Sequence, residues 1–274
     1  MMRSLLAVSL GLAAVAACSD GGPAATGRVD VAAATNAVAA SGVTNGLMLA
    51  ETYTDGSGNT LTFDSVLVVI RKLRLQNAAA AGCDVDDDDD GEGEDTSAVM
   101  MSHDSLHDED GDHEDEDCGQ VRAGPFLVSL TLDSGAVHQF TVTVDTGTYT
   151  RAAFQLHKPT GSHDRALVMA HPEMEGVSIR VVGTYNGTGF VYTSRVTDVQ
   201  RVDLDPPLVV GDGTASLTLR VDLSGWFKNG AGALVDPATA VGDGVNVWLV
   251  RHNINRSFHG FRDEDHDGHG DDED

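Results

Sequence analysis

Residues 84–117 contain 18 aspartates and glutamates and no lysine or arginine, and no fold can place such a run in a core. Carboxylates are almost never fully buried unless paired, because water solvates the charge far better than a protein interior does. Residues 263–274 carry a further 8 acids, again with no Lys or Arg. Outside these two tracts the remaining 17 acids balance all 17 Lys and Arg, so a net charge of −26 belongs to two appendages and the body is neutral. The acidic balance excludes nucleic acid as a partner, since that needs a basic footprint.

The N-terminus reads as an export signal over residues 1–17. Arg3 supplies the positive start and Leu5 to Ala17 the apolar run, which is short of the roughly 20 residues of a spanning helix. Val15-Ala16-Ala17-Cys18 resembles a bacterial lipobox. That resemblance implies cleavage before Cys18, acylation of its thiol and an anchored, non-spanning protein. Ser19 in place of an aspartate points to the outer membrane, and a plain secretory signal is the alternative. In an oxidising compartment the remaining pair, Cys83 and Cys118, brackets the acidic tract. A disulfide there closes a loop of about 35 residues and contributes roughly 3–4 kcal/mol. Two cysteine metal ligands are the competing reading, although no C-x-x-C spacing supports it.

Residues 18–46 are expected to be a tether with a possible first strand at 28–33, and residues 47–262 a β-domain interrupted by the insert 84–117. Val66 to Ile70 is a continuous apolar run that predicts burial on both faces, before Lys72 and Arg74 emerge to solvent. Period-two alternation marks Phe126 to Leu132, Phe140 to Val144 and Ala215 to Val221, and further strands are expected at 148–157, 177–185, 190–196 and 199–204. Asn186-Gly187 supplies the positive φ of a tight hairpin turn. Eight to ten short strands indicate an all-β fold, a β-sandwich or barrel-like sheet. Val247, Val250, Ile254, Phe258 and Phe261 fall on one face of a single C-terminal helix. The insert and the tail are expected to lack order without cations.

The tail carries the sharpest motif. Asp263, Asp265, Asp267, Gly268, Asp271 and Asp274 stand at positions 1, 3, 5, 6, 9 and 12 of a D-x-D-x-D-G loop, with the carbonyl of His269 at position 7. Ca²⁺ takes six to eight oxygens, and the glycine allows the turn that gathers them. A helix entering this loop resembles the first half of an EF-hand, although position 12 is Asp and no exiting helix follows. Asp86, Asp88 and Asp90 repeat the spacing more weakly in the insert. His103, His107 and His113 lie there too, and imidazole with carboxylate suits Zn²⁺ better than Ca²⁺. In both tracts a purely solvating role is the alternative.

Within the body, His157, His163, Asp164 and His171 surround a turn-rich stretch and read chiefly as surface or strand-end histidines. Trp226 and Phe227 read as an anchor that plugs the β-domain. Arg180, Arg195, Arg201 and Arg220 read as one basic ladder able to pair with the body's acids or to dock an anionic appendage. No nucleophile elbow, HExxH, haem-attachment or phosphate-loop motif is present, so a non-enzyme is expected.

Asp145-Thr146-Gly147-Thr148-Tyr149-Thr150 before a strand, Val182 to Gly187 with Phe190, a Pro206-Pro207 turn, Val221 to Ser224 and Asn255 to Phe261 resemble elements of a bacterial lipoprotein family with a β-sandwich-type domain of unknown function. The resemblance implies the lipoprotein address and the β-fold, and it transfers no catalytic or ligand residue. The expected function is a lipid-anchored extracytoplasmic protein whose acidic segments bind divalent cations, calcium first and zinc second. Through them it would bridge to anionic surface polymers or to another surface protein. The alternative is a structural or adhesion-type module.

Overall fold

One 18-residue strand organises the computed structural model, which describes residues 25–35, 50–77, 124–132, 135–264 and 270. In chain order the strands are β1 (Thr26–Thr35), β2 (Glu51–Thr54), β3 (Thr60–Asn77), β4 (Phe126–Ser129), β5 (Val137–Asp145), β6 (Gly147–Leu156), β7 (Ile179–Tyr185), β8 (Thr188–Ser194), β9 (Val199–Val210), β10 (Thr214–Val221) and β11 (Phe258–Arg262). Helix α1 (Arg165–Ala170) follows β6, and α2 (Val247–Asn255) precedes β11. They form a single sheet in the order β5-β1-β10-β11-β9-β6-β3-β7-β8, with β2 and β4 also paired to β3.

The register of β3 explains the curl. Leu67 and Val68 pair with β4 on one edge and β7 on the other, while Ile70 pairs with β4 and β6. Each residue has two edges, so β6 and β7 must share the edge opposite β4. β7 takes the first half of β3 and β6 the second. Just inside the half paired to β6, Lys72 adopts a left-handed φ of 54°, and the pairing skips from Arg71 to Arg74. A residue inserted this way bends and twists the strand. It also corrects an expectation: Lys72 and Arg74 are half-buried, and the Nε of Arg74 is enclosed.

The far edge then curls back toward the start. The rings of Phe126 on β4 and Phe140 on β5 stack at 3.7 Å and 6°. The side chain of Gln139 stands in for a backbone ladder, accepting from the Ser129 N–H at 3.2 Å and donating to the Ser129 carbonyl at 3.4 Å. Thr35 Oγ1 donates to the Thr131 carbonyl at 2.7 Å. The fold is all-β with a helix near the C-terminus, a curled half-barrel as the barrel-like alternative foresaw.

Inside the curl Phe227 packs against Phe63, Phe190 and Tyr192, and the Trp226 indole N–H donates to Ser257 Oγ at 2.9 Å. Both residues are fully buried, as an anchor should be. The continuous run on β3 is covered on its second face too, where Val69 packs with Met174 and Val177, and Leu67 with α1's Leu167 nearby. Asn186 and Gly187, at φ 50° and 77°, make the expected hairpin between β7 and β8.

Three expectations change. The first strand, extended to Thr26–Thr35, is an interior strand between β5 and β10, so the folded body begins well before residue 47. Pro206 and Pro207 lie within β9 and make no turn. Phe258 and Phe261 do not continue the helix: α2 stops at Asn255, and Phe258–Arg262 is β11, paired antiparallel to β10. Neither β2 nor α1 was anticipated.

Replacing Phe227 by alanine removes the buried ring that packs against Phe63, Phe190 and Tyr192 and is expected to cost about 3–5 kcal/mol. Trp248→Ala, at a ring 76 % exposed, is expected to fall within about 0.5 kcal/mol of the parent. Urea denaturation of the two variants checks the contrast.

Candidate functional site

The best-formed site lies where the C-terminal residues leave the sheet. Helix α2 is held in place at both faces. Arg251 Nη2 reaches Asp198 Oδ1 at 3.0 Å and Asn255 Nδ2 donates to Asp198 Oδ2 at 2.5 Å. The Asn253 amide donates to the carbonyls of Gly225, Trp226 and Lys228. The chain then reverses at Arg256–Ser257, and β11 enters between β10 and β9. Gly260 permits that insertion, because a Cβ there would stand 2.9 Å from Val202 Cγ1 and 3.2 Å from Leu204 Cδ2.

On the outer face of these three strands Thr218 is fully buried, and so is Asp263, the first residue after β11. The Thr218 hydroxyl donates to Asp263 Oδ2 at 2.9 Å. Beside them the Arg220 guanidinium lies 4.8 Å above the Phe261 ring, a cation–π contact. A groove of about 380 Å³ opens here, lined among others by Arg201, Asp203, Asp205, Arg220, His259 and Gly270. Asp203 accepts from Arg151 Nε at 2.7 Å. Gly270 brings the chain back to the sheet seven residues after Asp263.

Asp263 is therefore the one proposed tail ligand whose position is described. Asp265, Asp267, His269, Asp271 and Asp274 lie outside the described residues, as do Asp86, Asp88, Asp90, His103, His107, His113 and all three cysteines, Cys18, Cys83 and Cys118. The entering element of the acidic loop is a strand, which removes the EF-hand-like helix. Among the described residues no group of three or more His, Cys, Asp or Glu side chains is arranged to hold a metal, and no helix is long and apolar enough to cross a membrane. The arginine ladder divides: Arg201 and Arg220 flank β11 and share the groove, whereas Arg180 is on β7 and Arg195 just beyond β8.

The body histidines separate as well. His157 and Asp164 form a buried pair at 2.8 Å, and the Thr160 N–H donates to the same carboxylate oxygen at 2.9 Å. His163 is exposed, and His171 faces Glu173 at 3.4 Å. Burial pushes the His157 pKa down, Asp164 pulls it back, and Arg71 and Lys72 add to the lowering. This pair secures the loop over β3.

Reading the sequence missed a cluster at β2, where Glu51 and Tyr53 lie on one face of the strand and Asp55 just past its end. Glu51 accepts from the Tyr53 hydroxyl, and burial, reinforced by the charge of Asp222, raises its pKa. Asp55 accepts from Asn59, Ser57 and the Leu234 N–H, which hold its pKa down at about 2. Period-two spacing was the signal on offer, but a strand of four residues gives it too little length.

No family model matches the chain, and no curated protein matches it. Among solved structures it is similar to MbnP from Methylosinus trichosporium, at 12 % identity over 82 % of this chain and 86 % of that one, with a TM-score of 0.35. So loose a likeness has no bearing on function.

Because the folded state lowers the His157 pKa, its stabilisation is complete above the ordinary value of about 6.5 and declines as pH falls below it toward the folded-state pKa. The thermal midpoint is expected to drop between pH 7.5 and 5, and His157→Gln to flatten that drop. An equal slope in both proteins would place the titration elsewhere.

Proposed function

We propose that this is a lipid-anchored, non-catalytic extracytoplasmic β-protein whose C-terminal acidic loop binds a divalent cation, calcium by preference. The observation that carries the reading is the pair of fixed ends. The loop starts at a carboxylate buried in the sheet and hydrogen-bonded by Thr218, and it meets the sheet again at Gly270. Closing a ligand loop costs conformational entropy, and a scaffold that sets both ends removes part of that cost before the ion arrives. A side chain that orients a ligand carboxylate tunes affinity as well as geometry. Asp263, Asp265, Asp267, the His269 carbonyl, Asp271 and Asp274 supply the hard oxygens that calcium takes.

Zinc is the competing occupant. His259 lines the groove beside Gly270, and an imidazole there with His269 would suit a softer ion. The insert, with Asp86, Asp88, Asp90, His103, His107 and His113, would add weaker exchanging sites. A Cys83–Cys118 disulfide would clasp its base, and Cys18 would tether the whole to the outer membrane. Bridging by the bound cation to anionic surface polymers or to a neighbouring surface protein is the expected consequence.

Calorimetric titration of residues 19–274 at about 0.15 M salt tests the metal directly. Saturable Ca²⁺ binding with a Kd on the order of 10⁻⁴–10⁻³ M, lost in Asp265→Ala/Asp267→Ala, is the expected result. Tighter Zn²⁺ binding lost in His259→Ala would transfer the site to the softer ion. Weak heat that salt screens equally in parent and variant would reduce the tail to a solvating appendage. Thr218→Val keeps the shape of the side chain but removes the hydroxyl from Asp263, and is expected to weaken Ca²⁺ about tenfold or more.

A further inference from the structure

The cluster at β2 contains a device that the acidic tail does not use. β2 and the residue beyond it meet the 222–236 loop at three points in order. Glu51 faces the charge of Asp222, the Tyr53 ring carries the Lys228 ammonium at 5.5 Å, and Asp55 accepts from the Leu234 N–H at 3.0 Å. The Asp55 contact is constant near neutrality, since its donors hold that carboxyl at about 2. Glu51 is different. It is only 9 % exposed. The Tyr53 hydroxyl serves its Oε1, whereas among the described residues Oε2 is enclosed and meets no hydrogen-bond donor. An ionised oxygen buried in this way carries the cost of its lost hydration. A proton relieves that cost, and so does an opening that lets water reach Oε2. Burial pushes the Glu51 pKa above its ordinary 4.5, the Tyr53 hydrogen bond pulls it back, and the charge of Asp222 pushes it up again. β3 adds no ionisable group, for Glu51 is registered with Phe63 and Tyr53 with Leu61. On the loop Lys228 is the single cation, and the second acid, Asp236, accepts from the Ala238 N–H at 2.9 Å.

We propose that Glu51 is a proton-operated latch: with its carboxyl protonated the 222–236 loop lies closed on β2, and loss of the proton loosens the loop. A carboxyl whose pKa the closed form raises contributes stability that is complete below its ordinary value of 4.5. That stability is lost as pH rises through the closed-form pKa. The loop keeps its other ties when the latch lets go, because Asn253 donates to the carbonyls of Gly225, Trp226 and Lys228, and Trp226 donates to Ser257 Oγ. The opening is therefore local. His157 works in the opposite sense, so the latch is read at the loop and not from the melting temperature. Calcium binding by the tail uses none of these groups, and either proposal can fail without the other.

Hydrogen exchange of the full chain, followed by mass spectrometry and corrected for the intrinsic pH dependence of exchange, tests the latch. The reporters are the hydrogen-bonded amides of Asn229, Leu234 and Val235. Their protection is expected to fall at least about threefold between about pH 5 and about pH 8. Glu51→Gln keeps the size of the side chain without the charge, and is expected to hold the high protection at both pH values. Equal protection of the parent at both, or the same fall in Glu51→Gln, would overturn the proposal. Two further variants decide the matter if Glu51→Gln folds poorly. Asp222→Asn still accepts from the Ser224 N–H, now made at 2.9 Å, but removes the charge beside Glu51, so the fall should end at lower pH. Tyr53→Phe removes the donor to Oε1, so the fall should end at higher pH. A fall that stays put in both, or shifts the same way in both, would equally sink the latch.

Discussion

The shared edge of β3 is the constraint on which the rest of the molecule depends. Because β6 and β7 both use the edge opposite β4, the strand cannot stay straight, and the left-handed bulge at Lys72, just inside the half paired to β6, bends it. Once β3 bends, the sheet that grows from β6 through β9, β11, β10 and β1 is steered round until β5 meets β4. The closure is made by ring stacking and the Gln139 amide rather than by a continuous ladder. An edge blunted by a side chain resists pairing with another chain's strand.

The insertion of β11 has a second consequence. It carries Asp263 into the sheet, where a desolvated carboxylate is tolerable only with hydrogen-bond donors around it, and Thr218 is one. The neutral body and the anionic tail thus meet at a defined joint. Arginines gathered on the outer face at that joint set the local field.

Most of the strands were legible because apolar alternation reports burial directly. Asn186-Gly187 was legible because so few residues accept positive φ at both turn positions. The C-terminal helix was read too long for a physical reason. Val247, Val250 and Ile254 do follow helical spacing, and Phe258 and Phe261 extend it arithmetically across Arg256–Ser257, where the chain turns. A run of spacings of three and four carries no mark of the break, and Gly260 looks like a weak helix residue until β9 is seen to press against it. β2 was missed because four residues offer too little alternation, and Glu51 and Asp55 look like surface acids until the 222–236 loop covers them. The candidate site was half visible. The spacing of the acidic loop is in the sequence, whereas the groove requires β9 and β10 to lie either side of a strand that follows them by many residues.

The sequence by itself determined the segregation of charge, the β character of the body and the aromatic anchor at Trp226 and Phe227. These follow from composition and from periodicity, which are local. Only the tertiary structure decided that a single sheet curls on itself, that Asp263 is buried rather than solvated, and that Arg201 and Arg220 face one groove while Arg180 and Arg195 do not. Those depend on which strands become neighbours, and the pairing of residues far apart in the chain is set by the collective burial of the core, which no short window of sequence encodes.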